Sequence, residues 1–320
     1  MEEAELCFPQ LLNASCRKPQ TIQSAIVLMY LMFFFSVFTV ILNLLVIISL
    51  HTPTNLLLLS LAVSDLLFGL VTPLEAHRQT GCWLLGDVMC TLHIFLGSVS
   101  VCASEGEMIF ISFDRYLAVC DPLRYPTRVT VKKVKTCVCM WWIFSVVYCV
   151  ASYKVILIQP GRYNSCYGKC VFYTDYISGT VDTVLSVIGP ITVIIILYMR
   201  VFVVAVSQAR AMRSHVAAVT LQHSGNVTTK KSELKAARTL GVVIGVYLIC
   251  FFPYFYVLSS FLFNCPVDVF VEALAIFMMY INPCLNPVIY ALFYPWFRKA
   301  IRLIFSLQIL QPGSREINML

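Results

Sequence analysis

Seven apolar stretches, each long enough to cross a bilayer as a helix, constrain this chain more than any other feature. They lie at about residues 24–50, 53–76, 88–113, 134–155, 178–206, 237–263 and 268–293. About 20 mostly apolar residues span the hydrocarbon core of a membrane. Charged residues make up only 12% of the chain, whereas soluble domains carry about 25%. The sequence therefore predicts an all-α fold, a bundle of seven transmembrane helices, numbered here 1 to 7 in chain order.

The distribution of basic residues predicts the orientation of the bundle. Of the 23 Lys and Arg residues, six lie on the side of the N-terminus and the other 17 on the opposite side. Basic residues favour the cytoplasmic side of a membrane, so we expect the N-terminus outside and the C-terminus inside. Residues 1–23 would then form an extracellular segment, 24–293 the seven-transmembrane domain, and 294–320 a short amphipathic helix 8 and a cytoplasmic tail. The net charge of +7 follows from this topology and does not indicate nucleic-acid binding.

Each of the seven helices carries a short motif. The motifs, in chain order, are Asn43, Leu61-Ala62-Val63-Ser64-Asp65, Asp114-Arg115-Tyr116, Trp142, Pro190, Phe252-Pro253 and Asn286-Pro287-Val288-Ile289-Tyr290. Together and in this order they resemble the rhodopsin-like family of G-protein-coupled receptors, and the resemblance covers about residues 24–305.

Two further strings narrow the resemblance. Leu123-Arg124-Tyr125-Pro126 follows helix 3, and Tyr294-Pro295-Trp296-Phe297-Arg298-Lys299-Ala300 follows helix 7. Both look like the trace amine-associated receptors, most of which are olfactory receptors for volatile amines in vertebrates. The resemblance implies a multi-pass plasma-membrane receptor, not an enzyme, that takes a small-molecule amine and activates a heterotrimeric G protein.

A polar cluster is expected inside the bundle. Asp65 is a carboxylate within a membrane-spanning helix, which is costly unless it faces water, an ion or polar partners. By the resemblance, Asp65 together with Asn43 and Asn286 would hold an allosteric sodium ion, and no other cofactor or metal is expected. The alternative is a purely structural hydrogen-bonded cluster.

The resemblance places an activation switch at the inner ends of helices 3 and 6. Arg115 would pair with Glu233, and breaking the pair would free helix 6 to swing outward. Pro253 kinks helix 6, and Phe251 stands where most relatives carry Trp. The alternative for the ion pair is a surface salt bridge worth less than about 1 kcal/mol. The full set of switch residues is Asp114, Arg115, Tyr116, Glu233, Phe251, Pro253, Pro287 and Tyr290.

Seven of the 14 cysteines fall on the expected outer face, where an oxidising environment allows disulfides. The resemblance implies that Cys90 is bonded to the loop between helices 4 and 5, which offers Cys166 and Cys170. A second bridge, from the N-terminal segment to this loop, suggests Cys16–Cys166 beside Cys90–Cys170, and the partner of Cys90 stays open between the two. Asn13-Ala14-Ser15 is a glycosylation sequon.

An ammonium ion buried at membrane depth requires a carboxylate partner. Aminergic relatives place an Asp in helix 3, at the position that is Gly97 here. Asp182 lies in helix 5, eight residues before Pro190, and fish trace amine receptors that lack the helix 3 aspartate commonly carry one at the matching place. We therefore expect Asp182 to anchor the amine. The alternatives are a carboxylate satisfied by neighbouring Ser and Thr, or an anchor at Glu75 in helix 2.

Other pocket residues follow from Asp182 and from the family pattern. Asp175 lies two turns before Asp182, about 10 Å along the axis, and is a candidate for the second end of a diamine, with plain solvation as the alternative. Tyr254, Phe255 and Tyr280 match aromatic pocket positions and would surround a cation, with plain packing as the alternative.

Two features depart from the family pattern, the first inner loop and a pair of acids in helix 3. Ser49-Leu50 runs directly into His51-Thr52-Pro53-Thr54-Asn55, so the first inner loop lacks the short basic segment of relatives. Glu105 and Glu107 in helix 3 replace residues that are usually apolar or neutral, and Tyr247 is a candidate hydrogen-bond partner of Glu105. A divergent copy with impaired signalling is therefore one alternative.

Other classes of membrane protein fit the sequence less well. A light receptor needs a lysine in helix 7, and residues 268–293 contain none. A transporter should show inverted repeats or paired broken helices, and the five histidines have no metal-site spacing. The remaining alternative is a rhodopsin-like receptor for a non-amine odorant or a monoamine, and Gly97 disfavours the latter.

Overall fold

The fold is that of a computed structural model of the chain, which describes residues 5–11, 13–18, 23–49, 56–79, 81–173, 176–218, 224–262, 265, 267–293 and 295–306. The helices are α1 Gln23–Ser49, α2 Leu56–Arg78, α3 Gly86–Cys120, α4 Val131–Ser152, α5 with its three segments Tyr176–Thr183, Val184–Ile188 and Gly189–Ala218, α6 Ser224–Leu262, α7 Val269–Phe293 and α8 Pro295–Phe305. Two shorter helices, Tyr125–Arg128 and Lys154–Ile158, flank α4. Within the described residues, α1 to α7 each contain a span long and apolar enough to cross a membrane. The predicted seven-helix bundle is confirmed.

The centre of the bundle is α3. It contacts α2, α4, α5 and α6, and α7 packs against α1, α2 and α6. More than half of the apolar span of α2 and of α3 is buried (56% each), against 17% for α4. The polar side chains that α2 and α3 carry are therefore enclosed by protein, whereas α4 is mostly open to lipid.

Helix α5 contains a wide turn that the apolar pattern did not predict. Residues Val184–Ile188 form a π-helical turn between two α-helical segments. Pro190 follows one residue after the turn, and because proline has no N–H it leaves one carbonyl of the preceding turn without its usual donor. Turns of this kind are rare and occur mostly at functional sites. The turn lies between Asp182 and Pro190.

Three disulfides cover one end of the bundle. They are Cys90–Cys170, Cys16–Cys166 and Cys7–Cys82, and the first two are the pairs that the resemblance implies. Backbone bonds reinforce them, since Trp83 N–H donates to Gly168 O at 2.8 Å and Cys16 N–H donates to Tyr167 O at 2.9 Å. Gly168 has φ +103°, and a Cβ there would lie 2.9 Å from Cys7 Cβ. Only glycine fits this crossing point.

Candidate functional site

A cavity of about 450 Å³ opens into the bundle beneath this disulfide cap. It is walled by α2, α3, α4, α5, α6 and α7 and by the loop that carries Cys170. Among the residues that the sequence analysis considered for an amine pocket, those that line this cavity are Gly97, Asp182, Tyr254, Phe255 and Tyr280. Its volume and its mixed aromatic and polar lining are typical of small-molecule sites. Asp175 lies outside the described residues.

The acid on α5 faces this cavity without a cationic partner. Asp182 is half-buried, and its Oδ1 accepts hydrogen bonds from Tyr148 Oη and, at 3.2 Å, from Ser186 Oγ. Ser186 Oγ also lies 3.4 Å from Tyr148 Oη. In the described part of the chain no Lys, Arg or His forms an ion pair with Asp182. Its negative charge is therefore held in place by hydroxyls and left uncompensated.

Gly97 of α3 lines the same cavity and leaves room in it. A Cβ built on Gly97 would meet only Val71 Cγ2, at 4.0 Å. That is ordinary van der Waals contact, so a side chain fits. Position 97 therefore supplies space to the cavity and no carboxylate.

The rival acid on α2 is fully engaged by its neighbours. Arg78 donates from Nη2 to Glu75 Oε1 at 2.6 Å and from Nε to Oε2 at 2.8 Å. Gln79 Nε2 donates to Oε1 at 2.6 Å, and His93 Nε2 lies 2.9 Å from Oε2. Glu75 is 4% exposed. Because a guanidinium already neutralises it, Glu75 is not available as the partner of a ligand cation.

The cavity nevertheless has an excess of acids. Glu75, Glu105, Asp182 and Glu272 line it, against Arg78 and His93. Since Arg78 is paired with Glu75, the other three carboxyl groups have no cationic partner among the described residues. Glu105 is 3% exposed, and Tyr247 Oη has no hydrogen-bond partner in the described part of the structure. The expected Glu105–Tyr247 bond is therefore wrong: burial places both groups in the core without joining them.

Aromatic rings form one wall of the cavity and connect it to the core. Phe68 stacks on Tyr280 with ring centroids 4.6 Å apart. Phe251 also lines the cavity, and its ring centroid lies 5.8 Å from that of Phe255 and 4.5 Å from that of Tyr247. Rings of α6 therefore run without a break from the cavity to the buried Tyr247.

A second, smaller cavity lies beside Asp65. Its volume is about 10 Å³, close to that of a single water-sized sphere, and Ser100, Ser104 and Asn282 also line it. Asn286 Nδ2 donates to Asp65 Oδ2 at 2.8 Å. Asp65 Oδ1 and the side-chain oxygens of Asn43 and Asn286 are buried without a hydrogen-bond donor among the described residues.

The far end of α3 holds the Asp-Arg-Tyr motif. Arg115 Nε donates to Asp114 Oδ2 at 2.9 Å, and Tyr125 Oη donates to Asp114 Oδ1 at 2.9 Å. Tyr116 packs against a small cluster of Val119 and Val201. Glu233 belongs to α6, but its side chain lies outside the described part of the structure, so its pairing with Arg115 stays a prediction.

The other switch residues lie within α6 and α7. Pro253 is inside α6 and Pro287 inside α7. Tyr290 is buried, with its ring 6.4 Å from that of Phe297 at the start of α8.

Asn13 of the sequon is exposed on the disulfide cap.

Sequence reasoning missed several residues that shape these sites. Arg78, His93, Tyr148 and Ser186 line the cavity, and none carried a signal beyond its polarity. Glu107 was noted only as unusual. In the structure its Oε1 accepts from Ser60 Oγ at 2.6 Å, and Ser60 Oγ accepts from Trp142 Nε1 at 2.9 Å, which joins α2, α3 and α4.

Comparisons with known proteins agree with this architecture. The family model for the seven-transmembrane receptors of the rhodopsin family matches residues 37–290. Trace amine-associated receptor 13c of Danio rerio is 36% identical over 99% of this chain and 97% of its own length. Receptor 8a of Rattus norvegicus is 36% identical over 98% and 96%, and receptor 5 of the same species 36% over 84% and 80%. The chain therefore belongs to the rhodopsin family of seven-transmembrane receptors and, within it, to the trace amine-associated receptors.

Proposed function

We propose that this receptor senses a protonated amine that binds Asp182, and that it couples this binding to a heterotrimeric G protein at the opposite end of the bundle. The observation that carries the proposal is the charge balance of the cavity. Asp182 is a half-buried acid that faces the cavity without a cation, whereas Glu75 is neutralised by Arg78. A ligand ammonium supplies the missing charge.

The surroundings of Asp182 suit a small cation. Tyr148 and Ser186 donate to Oδ1, and no described residue donates to Oδ2, so one oxygen is left for the ligand. Tyr254, Phe255 and Tyr280 line the same cavity, and aromatic faces attract an ammonium through cation–π contact. The binding mode is therefore moved from α3 to α5, with Gly97 as open space.

The topology of the bundle favours ligand binding at its outer end and G-protein binding at its inner end. The basic residues concentrate on the side of the Asp-Arg-Tyr motif, which we assign to the cytoplasm. The disulfide cap then lies outside, with the cavity below it. In this arrangement the G protein meets the inner ends of α3 and α6, and the trace amine receptor family suggests a role in olfaction.

The polar cluster is suited to an allosteric sodium ion. Asp65 Oδ1, Asn43 Oδ1 and Asn286 Oδ1 are oxygens without donors in the described part of the chain, and the small cavity beside Asp65 has room for one ion or water. Bound there, sodium would neutralise the buried Asp65. Pro283 borders this cavity and supplies no side-chain oxygen.

Asp182→Asn tests the proposal, since it keeps the shape of the side chain and removes its charge. Loss of one member of a desolvated charge pair costs about 2–5 kcal/mol, so amine potency should fall tens- to thousands-fold in a cell assay with a panel of Gα subunits. Asp87→Asn is the matched control, because Asp87 is exposed and bonded to Asn164 at 2.8 Å. Its potency should match that of the wild type.

Two outcomes would contradict the proposal. Unchanged potency in Asp182→Asn together with a loss in Glu75→Gln, at equal surface level, would move the anchor to α2. Activation by a neutral odorant, with no response to any amine, would make this a receptor for a non-amine ligand.

A further inference from the structure

The wall of the cavity opposite Asp182 carries an arginine. Helix α2 packs mainly against α1, α3, α4 and α7, whereas α5 packs against α3 and α6. Arg78 of α2 and Asp182 of α5 therefore face the same cavity from separate sides. A ligand that reaches both has two different ends.

The guanidinium of Arg78 is held in one orientation. Its Nε and Nη2 both donate to the buried Glu75, and Glu75 is itself held by Gln79 and His93. Bidentate pairs of this kind fix the plane of a guanidinium. The third nitrogen, Nη1, has no hydrogen-bond partner among the described residues, and the side chain is 36% exposed. Arg78 thus presents preoriented donors to the cavity.

The positive charge of Arg78 is neutralised by Glu75. A ligand carboxylate would meet no net positive charge there and would face the carboxylates of Asp182 and Glu272. An ammonium at this end would likewise find no free carboxylate, because Glu75 is engaged by Arg78 and His93. The group that fits is uncharged and accepts hydrogen bonds, as a hydroxyl or carbonyl oxygen does. Tyr254 and Tyr280 of the same cavity suit a hydroxyl equally well.

We propose that Arg78 is a specificity residue and that the preferred ligand is a bifunctional amine, with its ammonium at Asp182 and an uncharged oxygen group, such as a hydroxyl, at Arg78. The inference rests on the proposed amine function and adds the chemical class of the second end.

The test compares four series of linear amines that have the same number of heavy atoms and end in methyl, hydroxyl, carboxylate or a second ammonium. Chain lengths from three to eight carbons cover the unknown span. In cells expressing the wild type, the best amino alcohol should be about tenfold more potent than its methyl analogue, the gain of a hydrogen bond to a charged group.

Removal of the guanidinium should abolish this preference. Arg78→Met leaves Glu75 buried without its partner, so the double variant Glu75→Gln/Arg78→Met is tested beside it, with surface level measured by antibody labelling. In the double variant the amino alcohol and the alkylamine should become equally potent.

Three results would overturn the inference: no preference for the hydroxyl in the wild type, a preference that persists in the double variant, or greater potency of the carboxylate or diamine series. Asp182→Asn separates these failures from failure of the proposed function. If all four series lose potency in Asp182→Asn but show no terminal preference in the wild type, only the role of Arg78 is wrong. If Asp182→Asn changes nothing, the amine anchor itself is wrong.

Discussion

Moving the carboxylate from α5 to α3 tests whether an acid on either wall of the cavity can anchor the amine. Gly97→Asp introduces the acid at the position where aminergic relatives carry it, and the first added atom has room, since the nearest contact of its Cβ is Val71 Cγ2 at 4.0 Å. The change is made in the Asp182→Asn background, so that the receptor regains one acid in a new place.

The expected recovery follows from the electrostatics of a half-buried site. An ion pair at 4 Å is worth about 4 kcal/mol at an effective dielectric constant near 20, and part of this is lost to imperfect geometry. We therefore expect Gly97→Asp to restore amine potency by at least about tenfold over Asp182→Asn alone.

The assay is the dose response of second-messenger output to an amine panel, normalised to surface receptor. Gly97→Asn in the same Asp182→Asn background is the matched control, because it fills the same space without charge. Equal potency of the Asp and Asn variants at position 97 would refute the reasoning, since the cavity would then not respond to the charge of its acid.

Two further variants test the packing and the switch. Gly106→Ala should lower thermal stability and surface level, by about 1–3 kcal/mol of unfolding free energy, because its Cβ would lie 1.8 Å from Trp141 Nε1; Gly245→Ala, which meets nothing within 4 Å, should be tolerated, and equal effects would contradict this. Glu233→Ala should raise basal signalling by releasing Arg115, and an unchanged or lower basal output at equal surface level would count against the switch.

Apolar length predicted the seven helices but not their ends. The stretch at 88–113 extends in the structure to Cys120 as part of Gly86–Cys120, because Leu117, Ala118 and Val119 beyond the Asp114–Arg115 pair are again buried in the bundle. The apolar pattern stops at the first charged pair and does not detect the buried turn that follows it.

The sequence predicted part of the candidate site, because it shows which helices carry acids but not which partners those acids meet. Asp182 stood out because a carboxylate in an apolar helix is costly. Glu75 carried the same signal, but its meaning depends on Arg78 three residues later and on His93 in the next helix. Spacing along α2 makes the Arg78 contact plausible, whereas the contact with His93 arises only when α2 and α3 pack. The Cys7–Cys82 bridge likewise depends on where the N-terminal segment crosses Gly168.

The π-helical turn at Val184–Ile188 rotates the side chains of the residues that precede it in α5 about the helix axis. One extra residue in a helical turn changes the direction of the preceding side chains by about 100°. Asp182 faces the cavity with this turn in place, so a regular helix counted back from Pro190 would aim the same carboxylate at a different wall. Gain or loss of a single residue here would therefore retune ligand recognition with no change in any lining side chain.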